Sequence, residues 1–181
     1  DKISNFGSEA ASGAGAAEVG IAGSVAINIV DNSSVAKVTS GATVNVIADR
    51  MDENDKNDGN VSLSAENNSE SIVKAVPHEG TIAEGSKVGI GASFALNMGV
   101  NHAIAEIEDT AKLSGANNVN LDASGSHSLT TEAKAGSKGG ISVTPVVALT
   151  IADNQAKAKI GSGDALDITG NLTVKADNTG S

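Results

Sequence analysis

VGIAGSVAINIVDNSSVAKV, from Val19 to Val38, is the stretch on which the reading of this chain turns. Val25, Ile27 and Ile29 alternate with Ala26 and Asn28, and a period of two places the two sets on opposite faces of a strand. The stretch recurs twice without gaps, as VGIGASFALNMGVNHAIAEI from Val88 to Ile107 and as ISVTPVVALTIADNQAKAKI from Ile141 to Ile160. A second block follows each copy: NVSLSA from Asn60, NVNLDA from Asn118 and NLTVKA from Asn171. From the second copy to the third both blocks advance by 53 residues, so they belong to one repeating unit.

From the first copy to the second the blocks advance unequally, by 69 and by 58 residues, which places 11 extra residues between them. DRMDENDKNDG, Asp49 to Gly59, occupies that position and reads as a polar loop inserted at a corner. Five further residues fall between Glu66 and Lys87. The chain therefore divides into copies at about 19–87 (with the inserted loop 49–59), 88–140 and an incomplete 141–181, all within one solenoid fragment, 1–181. A unit that tolerates insertions at turns behaves as one layer of a stack.

Composition agrees. Val and Ile number 31 against 8 Leu, and β-branched side chains suit a pleated surface better than a helix. Aromatics are reduced to Phe6 and Phe94, so a core of Ala, Val and Ile must be thin and repeated along an axis. The expected class is all-β, a parallel β-helix of 53-residue repeats, with two three-faced coils per repeat and a rod about 35 Å long at about 4.8 Å per strand. An antiparallel β-sandwich with hairpins at Asp31 to Ser34 is the alternative. In the first, Val25, Ile27, Ile29, Phe94, Leu96, Met98, Val147, Leu149 and Ile151 form one buried apolar column. Asn32, Asn101 and Asn154 share a register just after that column, where an Asn at a left-handed corner would donate its amide to a carbonyl of the layer above or below, the three themselves standing on every other rung.

The motif GxGAS(V/F)AxNxxxNxAxAxI, present as Gly89 to Ile107, with SGAxVxVxA, present as Ser40 to Ala48, resembles the repeats of very large Gram-negative surface proteins. These are the filamentous-haemagglutinin-like and leukotoxin-type adhesins and the passengers of autotransporters. The resemblance implies a right-handed parallel β-helix on an exported stalk at the bacterial surface, with a host or surface receptor as partner. It carries over no catalytic residue, and the acidic insertion departs from its pattern.

Charge and side-chain inventory narrow the chemistry. Twelve Lys and Arg against 22 Asp and Glu, a net charge of -10, give no electrostatic drive toward nucleic acid. The absence of Cys excludes disulfides and thiol chemistry, and no apolar run reaches the roughly 20 residues of a membrane span. His78, His102 and His127 sit in unrelated registers and read as surface side chains rather than a metal cluster. The inserted loop supplies hard oxygen ligands, with Asp52, Asp55 and Asp58 the candidate set for Ca²⁺, the only cofactor the sequence suggests. A polysaccharide-cleaving β-helix would need paired carboxylates and usually aromatic platforms along a groove; the chain reads instead as a non-enzymatic stalk module. A carbohydrate-active enzyme and a calcium-responsive spacer are the competing functions. The two ends, Asp1 to Phe6 and Lys175 to Ser181, show no capping element, so end-to-end self-association is expected.

Overall fold

The computed structural model describes residues 3–47, 59–78, 82–163 and 166–181. A first passage runs through β1 (Ser4–Ser12), β2 (Ala14–Gly15), β3 (Val19–Val38) and β4 (Thr43–Asn45). The second comprises β5 (Val61–Pro77), β6 (Ala83–Glu84), β7 (Val88–Ile107) and β8 (Lys112–Ala116). The third comprises β9 (Val119–Ala133), β10 (Ser137–Lys138), β11 (Ile141–Val143), β12 (Val146–Ile160) and β13 (Asp167–Ile168), and β14 (Leu172–Gly180) begins a fourth. The described residues contain no helix, so none that is long and apolar enough to cross a membrane.

Strands at equivalent points of successive passages pair with one another. Sheet A holds β1, β5, β9 and β14; sheet B holds β2, β6 and β10; sheet C holds β3, β7 and the pair β11 and β12; sheet D holds β4, β8 and β13. Every described pairing is parallel, which removes the antiparallel sandwich. The register follows the repeat: Val19 lies beside Val88 and Val88 beside Ile141, while Val61 lies beside Val119 and Val119 beside Leu172.

This pairing corrects the expected number of layers. Strand neighbours are one whole repeat apart, so a repeat makes one circuit and not two three-faced coils. Two long sheets, A and C, face each other, and the short sheets B and D turn the corners between them. A 20-residue strand is about 66 Å long, whereas four stacked strands rise only about 15 Å, so the fragment is a slab wider than it is tall.

The corner from C to D has its own repeated signature. Gly41, Thr110 and Gly163 stand one circuit apart and all have positive φ, 72°, 62° and 139°. Gly meets that demand freely, and Thr110, a β-branched residue, is held there with its Oγ1 accepting the Gly41 N–H at 3.1 Å. Among the described residues, only Gly115 in β8 (φ 76°) shares this positive φ. Asn32, Asn101 and Asn154 lie instead inside β3, β7 and β12, and none has positive φ.

The larger correction concerns which face is inside. Ala26 and Ala95 are 1% and 0% exposed, whereas Val25, Ile27 and Ile29 are 62%, 49% and 67% exposed. Phe94, Leu96 and Met98 also point outward, as do Val147, Leu149 and Ile151. The expected apolar column exists in register, but on the outer face of sheet C. Alternation fixes that two faces exist and not which of them another sheet will cover. Between A and C stand small side chains: Ala65, Ala103, Ala105 and Ala123 gather with Ile107, Leu113, Val119 and Leu121 near the C–D–A corner, and Ala26, Ala95, Val73 and Ala75 toward the other end. Gly99 leaves the space that Leu129 fills, since a Cβ there would stand 3.0 Å from Leu129 Cδ2.

A pair of substitutions reports on this assignment. Ala95→Leu adds three carbons to a fully covered position and should lower stability by about 1–3 kcal/mol. Ile27→Ser, on the outer face, should change the urea midpoint of dilute protein by less than about 0.5 kcal/mol equivalent. The opposite ranking would restore the apolar column to the interior.

Candidate functional site

Polar side chains line the middle of the interior, between the two apolar clusters. Asn97 and Asn101 on β7 are 0% and 2% exposed, and Asn67, Ser69 and Ser71 on β5 and His127 on β9 are as deeply covered. Amides and hydroxyls buried at this depth are tolerated only when paired, and here they pair across the gap between the sheets. Ser71 Oγ donates to Asn97 Oδ1 at 2.7 Å, and Asn97 Nδ2 donates to the carbonyls of Ser71 and Thr130. One row away, Asn32 Nδ2 donates to Asn67 Oδ1, while Asn67 Nδ2 returns to the carbonyls of Asn32 and His102. Ser93 Oγ joins Ser24 Oγ beside it and reaches the Lys134 carbonyl of the opposite wall.

The chain of bonds through His127 fixes every proton in it. Asn101 Nδ2 donates to Asn154 Oδ1 at 2.8 Å, so Asn101 presents its oxygen to Ser69, whose hydroxyl donates to it at 3.0 Å. With its single proton so used, Ser69 must accept from His127 Nδ1, also at 3.0 Å. His127 is therefore the Nδ1–H tautomer, and Nε2 is a covered lone pair with no hydrogen-bond partner. Burial holds its pKa below the ordinary 6.5. A Ser beside a His suggests an activated nucleophile, yet the imidazole here gives a proton to the hydroxyl instead of taking one. The histidine that reads as a surface residue is thus a structural one. Gly125 makes the space it needs, because a Cβ there would lie 2.6 Å from Nε2.

The Asn register noted in the sequence is part of this seam. Asn32, Asn101 and Asn154 are direct neighbours across β3, β7 and β12 rather than alternate layers. Of the other two histidines, His102 is half-buried with Nε2 3.7 Å from Asp153 Oδ2, and His78 is exposed at the end of sheet A. Asp52, Asp55 and Asp58 lie outside the described residues. Among the described residues no three metal-ligating side chains converge.

The surfaces differ from the seam and from each other. Sheet A shows Ser62, Ser64, Glu66, Asn68, Glu70 and Lys74 to solvent along β5, a polar face. A groove lined by Asn68, Glu70, Ser126, Ser128 and Thr179 crosses it where β1 begins and β14 ends. Sheet C presents the apolar rows described above. At the corners, carboxylates clasp the next layer: Glu108 takes the Lys37 ammonium at 2.8 Å and the Ser40 N–H, and Asp109 takes the Ser162 N–H, interactions that hold both acids below their usual pKa. Glu18 with Lys87 and Glu84 with Lys138 repeat the arrangement at the other corner. Such exposed pairs set register more than they add stability.

No family model, curated protein or solved structure matches this chain.

Two measurements check the His127 assignment. A His kept neutral by burial binds fewer protons when folded than when unfolded, so its contribution to stability rises with pH through the window below 6.5 and is lost on acidification. Urea midpoints should fall between about pH 7.5 and 5.5, and His127→Asn should flatten that slope. Gly125→Ala should lower stability by about 1–3 kcal/mol at any pH, since the added carbon overlaps the ring. A wild-type midpoint independent of pH over that range would show that His127 titrates freely.

Proposed function

We propose that the chain is a segment of a right-handed parallel β-helix in an exported bacterial surface protein, serving as a structural and adhesive stalk that holds or contributes an attachment surface away from the cell. One observation carries this reading: the same sequence motif falls in the same row of three successive parallel strands, so that the surface is a repetition and not a single elaborated groove. An enzyme concentrates its exceptions around one reacting centre, whereas a stalk spreads likeness along its axis. The resemblance to filamentous-haemagglutinin-like and autotransporter repeats supports the same conclusion. The edges of β1 and β14, and of β3 and β12, are the outermost of sheets A and C, and further layers or end-to-end contact with another chain would pair them.

Excision of residues 88–140 removes one whole circuit and brings β12 beside β3 in matching rows, so the shortened protein should unfold cooperatively. Excision of 88–114, half a circuit, should abolish the fold. Beads coated with the intact protein should be retained on host-cell or matrix-coated surfaces, and the one-circuit deletion should weaken retention without abolishing it. Release of reducing ends from a polysaccharide panel would overturn the stalk in favour of the enzyme. A melting temperature raised by millimolar calcium, and no longer raised after Asp52, Asp55 and Asp58 are replaced by Asn, would assign the calcium-responsive spacer.

A further inference from the structure

The outer face of sheet C is built to be covered. From Val19 to Ile29 on β3, and in the same rows of β7 and of β11 with β12, its outward side chains are aliphatic, aromatic, Met, Gly, Ala or Pro, without one charge. Six rows on three strands, five of large apolar side chains and one of Gly23, Ala92 and Pro145, make a patch about 33 Å by 14 Å, on the order of 450 Å² in plan. That matches the largest single patch a typical soluble monomer carries, which is often functional. Large aliphatic side chains gain more from leaving water than Ala or Ser, so leaving five rows of them outside while Ala and Ser fill the interior is unfavourable unless something covers them.

We propose that a second copy of this chain covers it, sheet C packing face to face on sheet C. Area is the first argument: two such faces remove on the order of 900 Å² of mostly apolar surface, above the size of most chance contacts and in the range of weaker specific interfaces. Charge is the second. Just beyond the apolar rows the face turns polar, with Asp31 and Asp153 in one row and Lys37, Glu106 and Lys159 in another. A two-fold axis along the strands would set Lys37 on Lys159 of the second copy, Asp31 on its Asp153 and Glu106 on its own counterpart, three like-charge meetings. A two-fold axis along the stack reverses the strands across the interface, lays apolar rows on apolar rows and sends the charged ends out on opposite sides. It also sets Val25 opposite Gly23 and Phe94 opposite Ala92 of the second copy, large on small in both cases. Like-charge exclusion therefore selects the second arrangement. This pairing is side by side and closes at two, distinct from end-to-end contact through strand edges, and it does not rest on the stalk reading.

Sedimentation equilibrium of the intact chain should give a dimer that does not grow further, and Leu96→Lys should halve its mass with an unchanged far-ultraviolet spectrum. Because the chain has no Cys, Ala92→Cys provides a single thiol near the two-fold axis, and a short bismaleimide should link it to a dimer while Ser64→Cys, on the outer face of sheet A, stays unlinked. The cross-linking result stands even if Leu96→Lys fails to fold. A monomer at every concentration would overturn the proposal. So would an open-ended ladder of oligomers indifferent to Leu96→Lys, which assigns association to the strand edges. A monomer that floats with phosphatidylcholine vesicles would give the face to a membrane surface instead.

Discussion

The parallel hydrogen-bond ladder between strands one repeat apart is the constraint on which everything else in this molecule depends. Each backbone amide of the long strands must find a carbonyl in the next circuit, and it does so only if the paired strands run residue for residue without an insertion. An inserted residue inside β3 or β7 would break the row for every residue after it. Insertions are confined to the connections, where the ladder is already interrupted. The identical spacing of both sequence blocks in the last two repeats is the imprint of that requirement.

The ladder leaves the distance between sheets A and C to the side chains, and those are small. Ala, Ser, Gly and Asn let the two sheets stand close, which brings amides of one sheet within reach of carbonyls of the other. The apolar clusters at either end supply burial, and the polar seam between them supplies direction. Ser71 with Asn97, and Asn32 with Asn67, can be satisfied only in one alignment of the sheets, and a slip of two residues would leave each group buried and unpaired. Oil alone would not discriminate between such alignments. The carboxylates of Glu108 and Asp109 do the same work at the corners, where they bind amides of the adjacent circuit.

The repeat, the all-β class and the row register were legible in the residues, because a 53-residue period and a two-residue alternation are both properties of the sequence itself. The inside of the slab was not. Ile27 and Leu96 outrank Ala26 and Asn97 on any hydrophobic scale, and the rule that the larger side chain is buried places the wrong face against sheet A. A signal for the correct choice was present: the residues on the other face, Ala26, Ala95 and Ala148, match in size across all three copies, as Asn32, Asn101 and Asn154 match in kind. His127 escaped notice for a related reason, since its partner Ser69 is 58 residues away and its space depends on a glycine two positions back. The number of circuits was misjudged because strands of 20 residues lie far out on the usual length distribution.

The flatness of the circuit has a mechanical consequence. One layer uses 53 residues to gain about 4.8 Å of height, so reach along the axis is built from many repeats. Pulled through its chain ends, however, the outermost circuit would peel away one hydrogen bond at a time, and each circuit released would feed out roughly 180 Å of extended chain. The corner contacts between Lys37 and Glu108, and between Asp109 and Ser162, are then catches that such peeling must open in turn. A short, wide slab therefore holds a long contour length behind each layer of height.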